Sequence, residues 1–309
     1  VLAELGSPAT AMEDPCLGFH REVVRRHGST VVALPVDEHG ARTGLLSDSG
    51  FPTVGAAVVT PAHQYATGVT LHAARRHSVL DWARSTGGLI IEDDYDGEFR
   101  HDRRPVGALQ GMAPGHVAYV GTASKTLGPA LRLAWLVLPP HLVDPVVDHK
   151  RHSDHHSETI GQLTLADLIS EHEYDRHVRA CRLRYQRRRD LLLTRLQPAP
   201  GRIASGFAIQ GIAAGLHALI TLPADQLTEQ DVLRRAAAHS LALEPLGDHW
   251  HTAGDHPQGI VVGYTTQPEH SYPAALDALA QAVDGATSRQ KTEVEHHQVQ
   301  DLAGRHGAE

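Results

Sequence analysis

Five short apolar runs constrain the fold of this chain more than any other feature. They lie at residues 30–34, 56–60, 88–92, 116–120 and 133–138. Most are rich in β-branched or aromatic residues, and Pro, Gly or Asp bounds them, which is the pattern of buried strands. Between 60 and 88 the spacing predicts a helix with Val69, Ala73, Leu80 and Ala83 on one face, ending at Gly87-Gly88. Strand, helix and strand at this spacing make a βαβ crossover. That unit implies an α/β fold with a parallel sheet and helices on its faces. Ligands of such sheets collect at the carboxyl ends of the strands. Asp93, Tyr95, Ser124 and Lys125 all fall at such ends.

Lys125 stands in Gly121-Thr-Ala-Ser-Lys-Thr-Leu127, and Asp93 and Tyr95 stand in Glu92-Asp-Asp-Tyr-Asp-Gly-Glu98. A lysine and an acidic-aromatic pair at neighbouring strand ends are the parts needed to hold pyridoxal phosphate. The amine can form an imine with the aldehyde. A carboxylate can pair with the protonated pyridine nitrogen and keep the ring an electron sink. Ser124 and Arg132 could both reach the phosphate.

Each motif has a blander reading. Lys125 alone would be a solvated lysine, and the acidic run a solvated loop. A calcium loop starting at Glu92 needs a bidentate Glu at its twelfth position, where Arg103 stands. No Gly-x-Gly-x-x-Gly follows a strand, and Ser124 precedes Lys125 where a phosphate loop needs Gly. His152, Asp154, His155 and His156 could bind a metal, but among 24 histidines neighbours are expected, and no metal site is assigned. The seven arginines from Arg176 to Arg189 alternate with Val178, Leu183, Tyr185, Leu191 and Leu192. That is the pattern of a long amphipathic helix with a solvated face rather than a nucleic-acid surface.

The length of 309 residues allows a large domain and a smaller one. We expect a large domain over 1–150, connecting helices over 151–197, a small α+β domain over 198–285 and a disordered tail over 286–309. The small domain rests on strand-like 216–222 and 259–264 and on helices near 227–239 and 273–284. A net charge of −8 favours neither nucleic acid nor a membrane surface. Cys16 and Cys181 are far apart in sequence, as in a reducing cytoplasm. No apolar run is long enough to span a bilayer, and the N-terminus has no signal-peptide pattern. The chain opens on Val1 rather than Met, as if it began inside a longer gene product.

The segments Pro61–Val69, Ile91–Arg100, Gly121–Leu127 with Leu131-Arg-Leu133, and Gly215-Leu-His217 strongly resemble the MocR subgroup of GntR-type transcriptional regulators. Those proteins join a winged-helix DNA-binding domain to a domain with the type I fold of pyridoxal-phosphate-dependent transferases. The resemblance covers about residues 1–285. It implies that Lys125 is the imine lysine, Asp93 the partner of the pyridine nitrogen and Tyr95 the partner of the ring hydroxyl. It implies Ser124 and Arg132 as phosphate ligands, and a homodimer. This chain departs from the pattern in lacking the DNA-binding domain and the Gly-rich helix start. It has Cys16-Leu17 where the family has Gly-Tyr, and no arginine between Asp255 and Gln267. Loss of a proline at Ala66 predicts a trans Tyr65–Ala66 peptide.

The expected function is thus a cofactor-binding effector domain of a MocR-type regulator, taking an amino acid or amine and reaching DNA only through a segment outside this chain. A working aminotransferase and an inactive fragment are the alternatives.

Overall fold

The computed structural model describes residues 9–101, 106–197, 207–223, 227–251 and 254–284. The expected tail, 286–309, lies outside them. The first sheet has seven strands: β1 (Ala9–Asp14), β2 (Thr30–Asp37), β3 (Gly40–Ala41), β4 (Ala56–Val59), β5 (Leu89–Asp94), β6 (Val117–Thr122) and β7 (Ala134–Val137). Their order across the sheet is β3-β2-β1-β4-β5-β6-β7. The pairs β1–β2, β1–β4, β4–β5 and β5–β6 are parallel, and β2–β3 and β6–β7 are antiparallel.

All five expected strands form, but the last runs opposite to its neighbour. The connection over residues 123–133 is shorter than the dozen or so residues a parallel crossover needs, so β7 folds straight back on β6. This reversal returns Arg132 to the sheet end that carries Ser124 and Lys125. A sixth long strand, β1, lies at the centre of the sheet and was not anticipated.

Helix α1 (Gly18–Arg26) follows β1. Helix α2 (Ala73–Thr86) links β4 to β5 and starts later than its spacing implied. His72 caps it by accepting the Ala74 amide, and Gly87 ends it in the left-handed region at φ 74°. Its buried face is Val79, Leu80, Trp82 and Ala83. Val69 lies outside the helix and Ala73 is exposed, because residues 61–72 are spent crossing the strand ends as a loop. Leu80 and Trp82 pack with Leu34, Val59, Ile90, Leu109 (in α3, Leu109–Met112) and Val117 to make the large core. Gly121 lets Trp135 lie flat against β6, since a Cβ there would stand 2.2 Å from the indole nitrogen.

Helices α4 (Pro140–Asp154), α5 (Ile160–Ser170) and α6 (Glu173–Leu196) follow. Helix α6 turns Val178, Cys181, Arg188, Leu192 and Leu196 inward. Leu183 and Leu191, expected on the buried face, are exposed, because the 3.6-residue period that aligns 178, 181, 188, 192 and 196 carries them outward. Arg188 departs from the expected solvated face. It donates to the Thr265 main-chain oxygen (3.0 Å) and Glu269 (2.9 Å) and lies over the Tyr272 ring (4.8 Å).

The second sheet is antiparallel, in the order β10-β11-β9-β8. Its strands are β8 (Ala208–Gln210), β9 (His217–Thr221), β10 (Glu244–Pro245) and β11 (Gly259–Gly263). Helices α7 (Glu229–Ala238) and α8 (Tyr272–Asp284) complete the expected α+β unit. Its core joins Ile220, Val232, Ile260 and Leu276 to Leu192 and Leu196 of α6. Among the described residues, no helix is long and apolar enough to cross a membrane.

Candidate functional site

Parallel pairing of β5 with β6 sets Asp93 opposite Val120 and Asp94 opposite Gly121. Asp93 therefore reaches the sheet edge one step before the hairpin that carries Ser124 and Lys125. The two aspartates point to opposite faces, as neighbours on a strand must. Asp94 accepts the Tyr119 hydroxyl at 2.7 Å. Asp93 lies 3.8 Å from the ring of His20, on α1. Burial, then the charges of Asp96 and Asp94, push the Asp93 carboxyl up to about 7, against the pull of Lys125. A carboxyl in that state gains from any cation brought beside it.

Lys125 is exposed. Its charge is felt by His20, Asp93, His217 and Glu244. Ser124 is fastened by Thr122, whose hydroxyl accepts the Ser124 amide (3.1 Å) and donates to the Ser124 hydroxyl (3.0 Å). Arg132 is exposed in the left-handed region, φ 53°. The hairpin thus collects Ser124, Lys125 and Arg132 in one loop.

Tyr95 does not point its hydroxyl into open space. The hydroxyl donates to the His63 main-chain oxygen at 3.0 Å and lies 3.2 Å from His63 Nδ1. His63 Nδ1 is 2.8 Å from Asp96 Oδ2, and both side chains are buried. The His217 ring packs 4.7 Å from His63, and burial holds its pKa well below the ordinary histidine value. Gly215, at φ 76°, makes this packing possible, because a Cβ would stand 2.0 Å from His63 Cε1. This gives the Gly215-Leu-His217 segment a physical role.

The Tyr65–Ala66 peptide is cis, not trans as the missing proline predicted. Gln64 ties this loop together through its side chain. Its side-chain oxygen accepts the Thr67 amide (3.0 Å) and hydroxyl (2.7 Å), and its amide nitrogen donates to the Pro15 main-chain oxygen (2.8 Å). Tyr65 extends to Glu244 at 2.9 Å, tying the loop to the small unit.

Glu13, on β1, accepts the Thr60 hydroxyl at 2.5 Å and the Gln64 amide at 3.3 Å. Burial outweighs both bonds and raises its carboxyl from 4.5 to about 7. A carboxyl that binds its proton more tightly when folded stabilises fully below its unfolded pKa. That contribution is lost as pH rises through about 7. The cofactor-free protein is expected to lose thermal stability between about pH 5 and 8 for this reason, and Glu13→Gln is expected to flatten the slope. Melting curves across that range check it, and an unchanged slope in the variant would place the responsible proton elsewhere.

Sequence patterns missed Glu13, His20, His63, Asp96 and His217 as neighbours of this site. His63 and His217 sat inside quoted motifs, but nothing local shows that 154 positions of chain, from 63 to 217, close up to ring contact.

The residues present suit pyridoxal phosphate. A partly buried carboxyl with a raised pKa would gain from a cation, and a serine, a lysine and an arginine share one loop beside it.

Residues 9–244 match the family model described as aminotransferase class I and II. Among curated proteins, the HTH-type transcriptional regulator YhdI of Bacillus subtilis is 37% identical over 190 residues, 60% of this chain and 39% of that protein. The probable rhizopine catabolism regulatory protein MocR of Rhizobium meliloti is 31% identical over 255 residues, 82% of this chain and 50% of that protein. The chain thus spans half or less of the length of these two relatives. Among solved structures, a Pyrococcus horikoshii kynurenine aminotransferase in complex with PMP matches with TM-score 0.79 at 23% identity. The match covers 90% of this chain and 69% of that one, and it establishes the fold.

Proposed function

We infer the function from the family: the chain belongs to the aminotransferase class I and II family, and its aminotransferase-like domain is homologous to MocR/GntR-type HTH regulators. We propose that it is the pyridoxal-phosphate-binding effector domain of such a regulator. In this reading an amino acid or amine is the ligand, and DNA is contacted by a segment outside this chain. The observation that carries the reading is the meeting of Asp93 with the Ser124–Lys125 hairpin across the β5–β6 pair.

When bound, pyridoxal phosphate would supply an aldehyde and an electron-withdrawing ring. The protein's part is then assigned as follows. Asp93 holds the ring nitrogen's proton through a charge-assisted hydrogen bond. Ser124 and Arg132 hold the phosphate, Arg132 through a guanidinium suited to paired oxygens. Lys125 would hold the aldehyde end of the cofactor through its amine, and that amine would be placed to take up or return a proton. Tyr95 donates to the ring oxygen. Exposed Val143 and Val147, one turn apart on α4, offer an apolar surface for a homodimer.

A second reading, a working aminotransferase, draws on the same Lys125–Asp93 pair, and an aromatic-amino-acid aminotransferase of Thermococcus litoralis is 26% identical over 259 residues. The test is to add pyridoxal phosphate, record the absorbance, reduce with borohydride and map the labelled peptide. Label on the Lys125 peptide, with spectral change but no sustained turnover on adding amino acids, is the expected result. Repeated turnover would favour the enzyme. Label confined to another lysine would remove both readings.

A further inference from the structure

We propose that His63 is a positioning residue for Tyr95, and that Asp96 selects the His63 tautomer which leaves the Tyr95 proton free for the cofactor. The proposal rests on the cofactor reading above.

His63 Nδ1 faces Asp96 Oδ2 at 2.8 Å, with the two side chains 2% and 1% exposed. A carboxylate only accepts, so the nitrogen facing it carries the ring proton. The Tyr95 oxygen lies 3.2 Å from the same nitrogen. Since Nδ1 already holds a proton, it cannot take one from the phenol. It can only share its own N–H between Asp96 and the Tyr95 oxygen. The phenol proton is left to acceptors: the His63 main-chain oxygen, 3.0 Å away, and the Asp96 carboxylate, which also hydrogen-bonds the phenol. One residue thus holds Tyr95 from two sides, as donor through its ring and as acceptor through its backbone. Tyr95 stays a neutral donor, because burial and the charges of Asp96 and Asp93 raise its pKa far above the ordinary tyrosine value.

The arrangement has a consequence for binding. When an acceptor oxygen arrives, the Tyr95 proton can turn to it while the His63 N–H keeps the phenol oxygen in place. In the other tautomer Nδ1 would be bare. It would take the Tyr95 proton and leave none for the ligand. The surroundings restrict the ring to its seat. His217 packs against one side at 4.7 Å, and the Gly215 main chain lies where a Cβ would come within 2.2 Å of Nδ1 and 2.8 Å of Asp96 Oδ2. His63 Nε2, the bare nitrogen of this tautomer, is buried without a hydrogen-bond partner among the described residues. That is the cost of holding the ring this way round.

The experiment follows the visible absorbance of the cofactor-loaded protein across pH. Wild type, Tyr95→Phe, His63→Leu, His63→Asn and Asp96→Asn are compared. Tyr95→Phe is expected to move the midpoint by about half to one pH unit, the equivalent of one hydrogen bond. His63→Leu and Asp96→Asn should move it the same way. His63→Asn, whose amide nitrogen replaces Nδ1 as a donor, should restore it. In a Tyr95→Phe background, His63→Leu should add nothing. A wild-type midpoint in His63→Leu, or additive shifts in the double variant, would overturn the proposal alone. Absence in wild type of any band that borohydride fixes to Lys125 would overturn the cofactor reading and the proposal together.

Discussion

Lys125→Ala is expected to abolish the visible band that pyridoxal phosphate produces on the wild-type protein and to leave no borohydride-fixed cofactor. The chain has three lysines, Lys125, Lys150 and Lys291, so few competing amines exist. Lys150 lies on α4, exposed and paired with Asp154 one helical turn away. That pairing lies on an exposed helix surface, away from any strand end. Lys125 has Ser124 beside it and Arg132 returned to it by the β6–β7 hairpin. Its amine also sits in the field of the Asp93 carboxyl, the group that would hold the ring's far end. Absorbance titration and peptide mapping of the variant measure the effect. A full-strength band in Lys125→Ala would sink the assignment.

Asp93→Asn is expected to weaken cofactor binding by roughly ten-fold or more, because a charge-assisted hydrogen bond is worth ~1.5–3 kcal/mol and each 1.4 kcal/mol is a factor of ten. Asp94→Asn should cost much less. Its carboxylate is on the other face of β5 and is engaged by the Tyr119 hydroxyl at 2.7 Å. The pH dependence should differ as well. Asp93 is raised to about 7 in the free protein by burial and by Asp96 and Asp94. A cation placed beside it lowers that pKa, so binding should release a proton near neutral pH. Asp93→Asn removes the release, and Asp94→Asn keeps it. Titrations in two buffers of different ionisation enthalpy measure the proton count. Equal losses in the two variants would mean that the ring nitrogen is held elsewhere.

Much of this is legible in the amino-acid sequence. The apolar runs at 30–34, 56–60, 88–92 and 116–120 are short and largely β-branched because both faces of a parallel sheet are covered, and that local pattern survives in the primary structure. Their ends then located Asp93, Tyr95, Ser124 and Lys125. Strand β1 was not legible. Ala9-Thr-Ala-Met-Glu-Asp14, paired between β2 and β4, ends on two acids and carries no run of large β-branched residues, so the local pattern that marks a strand is missing. Arg188 was misread as solvated because its partners, Thr265 and Glu269, lie far along the chain.

The sequence by itself determined the α/β class, most strands of the parallel sheet with the helix between two of them, and the position of Asp93, Tyr95, Ser124 and Lys125 at strand ends. Only the tertiary structure decided the direction of β7, and with it the return of Arg132 to Ser124. It alone brought Glu13, His20, His63, Asp96 and His217 around those residues and set the raised pKa values of Glu13 and Asp93. The division has one physical cause. Strand and helix patterns are carried by neighbours along the chain. Desolvation and hydrogen bonding of a buried carboxyl or imidazole depend on groups that become neighbours only when the chain folds.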